Sequence, residues 1–260
     1  FGRTDPVVIE PLLAYVGHSK PDVVVVSGDL TQRARSAQFR QARGFLDRLP
    51  SPQVVVPGNH DVPLYDALSR FTRPYRKYHK YISHDLQPMH ADSELVVLGV
   101  NTARALTIKG GRINVGQMAR VRQRLAAFGP GVTKVIVTHH PFDLPPEHTE
   151  KDLVGRADAA MDMFAECGVD LLLAGHLHVT HAGSTAARYR IEGHAALVVQ
   201  AGTATSTRGR GESNSFNVVR VDRPGVTTEN VARLPAQGKF SVSSTERFVL
   251  TQQGWSAPIA

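Results

Sequence analysis

The apolar run 170–174, Asp-Leu-Leu-Leu-Ala, breaks off at Gly175 and hands the chain to His176-Leu177-His178. A short apolar run after a glycine turn, here Gly168, is the pattern of a strand covered on both faces. In extended geometry residues two apart point the same way, so His176 and His178 are expected to present two imidazoles to one region while Leu177 packs behind them. Such a pair can ligate a metal. Taken alone, it also describes two hydrogen-bonded histidines at a surface.

The same event occurs at three other strands. The β-branched run 23–26 stops at Ser27-Gly28-Asp29-Leu30-Thr31, the run 54–56 at Pro57-Gly58-Asn59-His60-Asp61, and the run 132–137 at Thr138-His139-His140-Pro141. A further apolar strand, 95–100, ends at Asn101-Thr102. Helical stretches separate these runs: 6–16, with Val8, Leu12, Leu13 and Val16 on one face; 34–49, with Phe39, Phe45, Leu46 and Leu49; one after Gly116, with Met118, Val121 and Leu125; and 158–167. Strands alternating with helices predict an α/β fold whose sites lie beyond the carboxyl ends of the strands. Asp29 lies there, although a carboxylate after Gly can also cap the next helix. Asn59 offers a neutral oxygen, and Asp61 is expected to hold His60 in one tautomer. Pro141 limits where His139 and His140 can point.

The rest of the chain is less distinctive. Phe71, Tyr75, Tyr78 and Ile82 recur at helical spacing among bases, which predicts a buried stripe ahead of a surface for stacking nucleic acid. After His178 the pattern turns to strands, with a hairpin expected between 188–191 and 195–200 around Glu192-Gly193-His194, another strand at 216–221, and more strands before a loose tail. Arg208 and Arg210 stand in a small polar loop, 203–211, from which they could reach an anion. One cysteine, Cys167, excludes an internal disulfide and a multi-thiolate metal cage. A net charge of +7 favours anionic partners, but the charge is scattered. No apolar stretch is long enough to span a bilayer. No leader is visible, and because the chain opens at Phe1, anything upstream goes unjudged; a cytoplasmic location is the expectation.

Asp29, Asn59, His60, Asp61, His139, His140, His176 and His178 would share one crevice, and buried polar groups there need a cationic partner. In these blocks the chain resembles the calcineurin-like metallophosphoesterase family. Of the family's Asp-x-His, Gly-Asp, Gly-Asn-His-Asp/Glu, His-x-Pro and Gly-His-x-His blocks, the last four stand in order as Gly28-Asp29, Gly58-Asn59-His60-Asp61, His139-His140-Pro141 and Gly175-His176-Leu177-His178. Among its branches the chain is similar to the small bacterial class III cyclic-nucleotide phosphodiesterases. The resemblance implies a four-layer α/β/β/α sandwich, with 1–222 as the metallophosphoesterase domain and 223–260 as C-terminal strands and tail packed on it. It also implies a dinuclear centre of two divalent or trivalent ions (Mn, Fe or Zn). Asp29 would bridge both ions, Asn59, His139 and His176 would complete the second, and His178 would bind the first. His60, paired with Asp61, would be catalytic, and His140 and Arg208 would touch substrate. The implied reaction is hydrolysis of a phosphoester, above all a phosphodiester such as a cyclic nucleotide, by a metal-bridged hydroxide.

The Asp-x-His block does not occur. In relatives it lies just upstream of a loop resembling Phe1-Gly2-Arg3-Thr4-Asp5, so the first strand and two ligands of the first metal are expected to be missing from this stretch. The second position would then fill more readily. Two alternatives stay open: a nuclease of the same family, favoured by the basic charge, and a non-catalytic metal-binding scaffold. The expected partner is a small phosphoester, with nucleic acid second and a homo-oligomer allowed.

Overall fold

The computed structural model describes residues 1–207 and 212–258. Helix α1, Pro6–Ser19, starts where Asp5 Oδ1 accepts the Val7 N–H at 3.1 Å and Pro6 presets the first turn. It ends at Lys20 in the left-handed conformation. β1, Val24–Val26, follows, then α2, Ser36–Leu46, and β2, Gln53–Val55, which pairs with β1 in parallel. Two short helices come next, α3, Ala67–Thr72, and α4, Arg76–Tyr81.

A six-stranded sheet comprises β3, Met89–Ala91; β4, Leu95–Gly99; β5, Thr133–Val137; β6, Leu171–Ala174; β7, His181–Ser184; and β8, Leu197–Gln200. Its order is β3-β4-β5-β6-β8-β7, parallel through the centre and antiparallel at both edges. Helix α5, Val115–Leu125, joins β4 to β5, its first turn closed by reciprocal bonds between Asn114 and Gln117 at 2.9 and 3.0 Å. Helix α6, Ala157–Glu166, joins β5 to β6. The chain then forms an antiparallel meander of β9, Ser215–Asp222; β10, Gly225–Leu234; β11, Lys239–Thr251; and β12, Gly254–Ser256.

The apolar residues separate by strand face into three cores. Val96, Leu98, Ile136, Leu172 and Val198 pack against α5 and α6, while their neighbours Val97, Val135, Val137, Leu171, Leu197 and Val199 face β2, β10, β11 and β12 through Val54, Val56, Val226, Phe248 and Trp255. Val55 and Val231 turn outward to α1 and α2, meeting Val8, Leu12, Phe39 and Leu46. The layers therefore run α/β/β/α. Among the described residues no helix is long and apolar enough to cross a membrane.

Three expectations need correction. Arg73-Pro74 splits the stripe of Phe71, Tyr75, Tyr78 and Ile82 between two helices, since the residue before a proline is pushed out of the helical region. Tyr78 is fully buried, but Phe71 is 62% exposed. The expected hairpin is reduced to a single bridge between Ile191 and His194, and β8 takes β7 as its antiparallel partner instead. Finally, β6 stops at Ala174, and His176 and His178 have φ of 73° and 61°, so the stretch holding the two histidines is not extended.

Candidate metal centre

Four loops meet where β1, β2, β5 and β6 end. Glycine is required at two of these ends. A Cβ on Gly28 (φ 90°) would stand 2.6 Å from the Gly58 nitrogen, and a Cβ on Gly58 would stand 2.1 Å from Asp29 Oδ1. Without side chains at these positions, the Asp29 and Asn59 loops touch backbone to backbone. Asp29 itself adopts φ 57°, and its Oδ1 accepts the His60 N–H at 3.0 Å.

His139 lies at the centre, 1% exposed. Its Nδ1 is 2.7 Å from the Ser27 carbonyl, which can only accept, so Nδ1 carries a proton and Nε2 is the nitrogen left to meet a cation. That atom faces Asn59 Oδ1 at 2.9 Å, His176 Nδ1 at 3.2 Å and Asp29 Oδ1 at 3.4 Å. The Asn59 amide is oriented by its Nδ2, which donates to the Ile108 carbonyl at 3.0 Å. Asp29 Oδ1, Asn59 Oδ1, His139 Nε2 and His176 Nδ1 thus converge, and the Asn59 amide turns its oxygen into the space between them. A cation fits this donor set of carboxylate, amide oxygen and two imidazoles. Burial and the neighbouring His139 push His176 down to about 3, which keeps its ring neutral as a ligand must be. Burial pushes the Asp29 carboxyl up, but His139, His60, the His60 N–H and His176 together hold it below the usual carboxylate range.

The other predicted residues fall into place differently. Asp61, 1% exposed, does not pair with the His60 ring. Its oxygens accept the N–H groups of Gly58 (2.9 Å), Leu30 (3.1 Å) and Thr31 (2.8 Å) and the Thr31 hydroxyl (3.0 Å), clamping the Asp29 loop to the Asn59 loop. Burial and the Asp29 charge push its carboxyl up, against those donors. The partner of His60 Nδ1 is instead the Gln32 carbonyl at 3.0 Å. A main-chain oxygen leaves no mark in the sequence, so the acidic neighbour had suggested the wrong partner.

His140 does not reach outward to a substrate. It is fully buried, with Nδ1 2.8 Å from the Thr102 hydroxyl and Nε2 2.8 Å from the Lys109 carbonyl. With His139 and His176 it forms a group whose ring nitrogens lie within 4.8 Å of one another and that could hold a metal ion, although both His140 nitrogens already have partners in the protein. His178 Nδ1 bonds the Thr203 hydroxyl at 2.7 Å, while Leu177 is buried as expected. Arg208 lies outside the described residues.

The family described as calcineurin-like phosphoesterase matches residues 8–180, well over half of the chain. The chain belongs to the calcineurin-like phosphoesterase family. Among the chain's relatives, a probable glycerophosphodiester phosphodiesterase of Arcobacter nitrofigilis is 24% identical over 166 residues, 61% of this chain and 57% of that protein. A probable cyclic nucleotide phosphodiesterase of Synechococcus is 25% identical over 163 residues, 61% of this chain and 58% of that protein. The matched stretch thus spans less than two thirds of either relative. A dimetal phosphatase from Danio rerio superposes with a TM-score of 0.62 at 12% identity, covering 91% of this chain and 88% of its own, a likeness of fold. Divalent metals are the family's cofactors, and the His139 cluster is a place where one fits.

Proposed function

We propose that this phosphoesterase hydrolyses a phosphodiester, with Asp29, Asn59, His139 and His176 holding a divalent cation and His178 contributing to a second position. The convergence of Asn59 Oδ1, His176 Nδ1 and Asp29 Oδ1 on His139 Nε2 supports this reading, because an amide oxygen, a carboxylate and two imidazoles gathered this closely are a donor set that a divalent cation fits. When bound, divalent ions supply charge that polarises phosphoryl oxygens and lowers the pKa of water. The chain's own residues orient the reaction. The His60 N–H fixes Asp29, and the Gln32 carbonyl fixes the His60 ring with Nδ1–H committed, leaving Nε2 to take up a proton and pass it to the leaving oxygen. Both relatives matched over 61% of the chain carry phosphodiesterase names, which favours a diester over a monoester.

The test is turnover of bis(p-nitrophenyl) phosphate with manganese. Asn59→Ala is expected to lose more than the roughly 10–100-fold that removing a partner behind a ligand costs. Equal rates for wild type and variant would end the proposal.

A further inference from the structure

Between the Asp29 loop and α2 the chain reverses at Ala34, a fully buried residue with φ 48°. The reversal is held by its N–H on the Thr31 hydroxyl at 3.0 Å and by Lys77 Nζ, which donates to its carbonyl at 2.9 Å. On either side, the N–H groups of Arg33 and Arg35 donate to Gln38 Oε1 at 3.0 and 3.4 Å. Both arginine side chains then line one cavity of about 460 Å³, together with Lys77, Tyr65 and Asp66.

The cavity's charge is unbalanced. Three cations face one carboxylate, and that carboxylate is already engaged, since Asp66 Oδ1 accepts the Ser69 N–H at 3.0 Å as the cap of α3. Among the described residues no carboxylate lies within ion-pair distance of Arg33, Arg35 or Lys77. Tyr65 is 72% exposed, with the Arg33 guanidinium 5.2 Å from its ring centroid. Two links of the chain join the cavity to His60: Arg33 follows Gln32, whose carbonyl holds the His60 ring, and Pro63, which lines the cavity, comes two residues after Asp61.

We infer that this cavity receives the leaving half of the substrate and selects phosphoesters whose leaving half carries a negative charge of its own, such as a second phosphate. The inference rests on the phosphodiesterase reading, in which His60 delivers the proton to the leaving oxygen. In that step the water oxygen bonds to the attacked phosphorus and gives up its proton to solvent. The bond from phosphorus to the leaving oxygen breaks with its electron pair on that oxygen, which takes a proton from His60 Nε2. On this inference, whatever lies beyond that oxygen extends along the links from His60 toward Arg33, Arg35 and Lys77. Guanidinium forks match phosphate oxygens two at a time, and the Tyr65 ring offers a face to a base or sugar. A choline or ethanolamine leaving group would bring a cation against three others. A cyclic nucleotide brings no second anion.

The experiment compares kcat/KM, with manganese, for ADP-glucose, in which the bond broken is the phosphoanhydride and the leaving half is a phosphate monoester, and for bis(p-nitrophenyl) phosphate, in which an ester bond breaks and the leaving half has no separate anion. Both arginines are exposed, so Arg33→Ala/Arg35→Ala is expected to fold normally. The ratio of ADP-glucose to aryl diester turnover is expected to fall at least about tenfold in the variant, the loss of one charge-assisted contact to phosphate. In Arg33→Glu/Arg35→Glu it should fall further. A ratio unmoved in both variants, or wild-type turnover of glycerophosphocholine equal to that of ADP-glucose, overturns the inference while leaving the phosphodiesterase reading intact. Wild-type protein inert on both phosphoesters overturns that reading, and the inference with it.

Discussion

At the residue scale, Asp61 shows how a motif position can have a role other than the one its neighbour suggests. An acid beside a histidine invites pairing, yet here it collects four donors from two loops and leaves the histidine to a main-chain carbonyl. Asp61→Asn sets an amide NH2 among those donors and leaves buried groups unmatched, at about 1–3 kcal/mol. Calorimetry of the metal-free protein should show a lower Tm, by roughly 2–4 °C for each kcal/mol in a chain of about this size. Were Asp61 only to orient His60, the Tm would stay put and kcat alone would drop. Gly58 is as tightly constrained: in Gly58→Ala the new Cβ meets Asp29 Oδ1 at 2.1 Å. Manganese affinity, followed by calorimetric titration, should weaken because the carboxylate must swing out of the cluster; unchanged affinity would mean Asp29 is not a ligand.

At the element scale, the strand ends deliver the site and the opposite ends secure the sheets. Asp170, at the start of β6, accepts from the Lys134 N–H at 2.9 Å, from Arg223 Nη2 at 2.6 Å and from the Trp255 indole N–H at 3.0 Å. One buried carboxylate thus ties β5, the β9–β10 turn and β12 together. Asp170→Ala leaves the guanidinium and the indole N–H without that acceptor, a loss of about 3–5 kcal/mol that urea unfolding should register. Turnover by the protein still folded should hold, because no residue of the metal cluster bonds Asp170. Elements also show where periodicity misleads. Helical spacing carried Phe71 into the same stripe as Tyr78, but the spacing does not register that Pro74 ends one helix and begins another.

At the scale of the whole molecule, the centre draws on two of the three sheets, with Asp29 and Asn59 following β1 and β2 and His139 and His176 following β5 and β6. A cation bound there links the two halves of the sandwich and stabilises the folded state by mass action, about 2.7 kcal/mol at 100 times its Kd. Adding manganese to chelator-treated protein should raise the Tm of wild type and leave that of His139→Ala unmoved; an equal rise in both would place the ion elsewhere. The α/β alternation, the strand ends and the ligand-type residues at Asp29, Asn59, His139 and His176 were legible in the sequence, because runs of apolar residues and glycine breaks are local features that read the same in any fold. The groups that orient those residues were not legible. The carbonyls of Ser27, Gln32, Ile108 and Lys109 belong to the backbone, and their positions follow from packing among segments distant in sequence. The cavity of Arg33, Arg35 and Lys77 depends in the same way on a reversal at Ala34 held by contacts with Thr31 and with α4. The sequence by itself determined which chemistry could gather at the strand ends. Only the tertiary structure decided which atom faces which, since hydrogen-bond direction is set by three-dimensional approach and side-chain identity alone does not encode it.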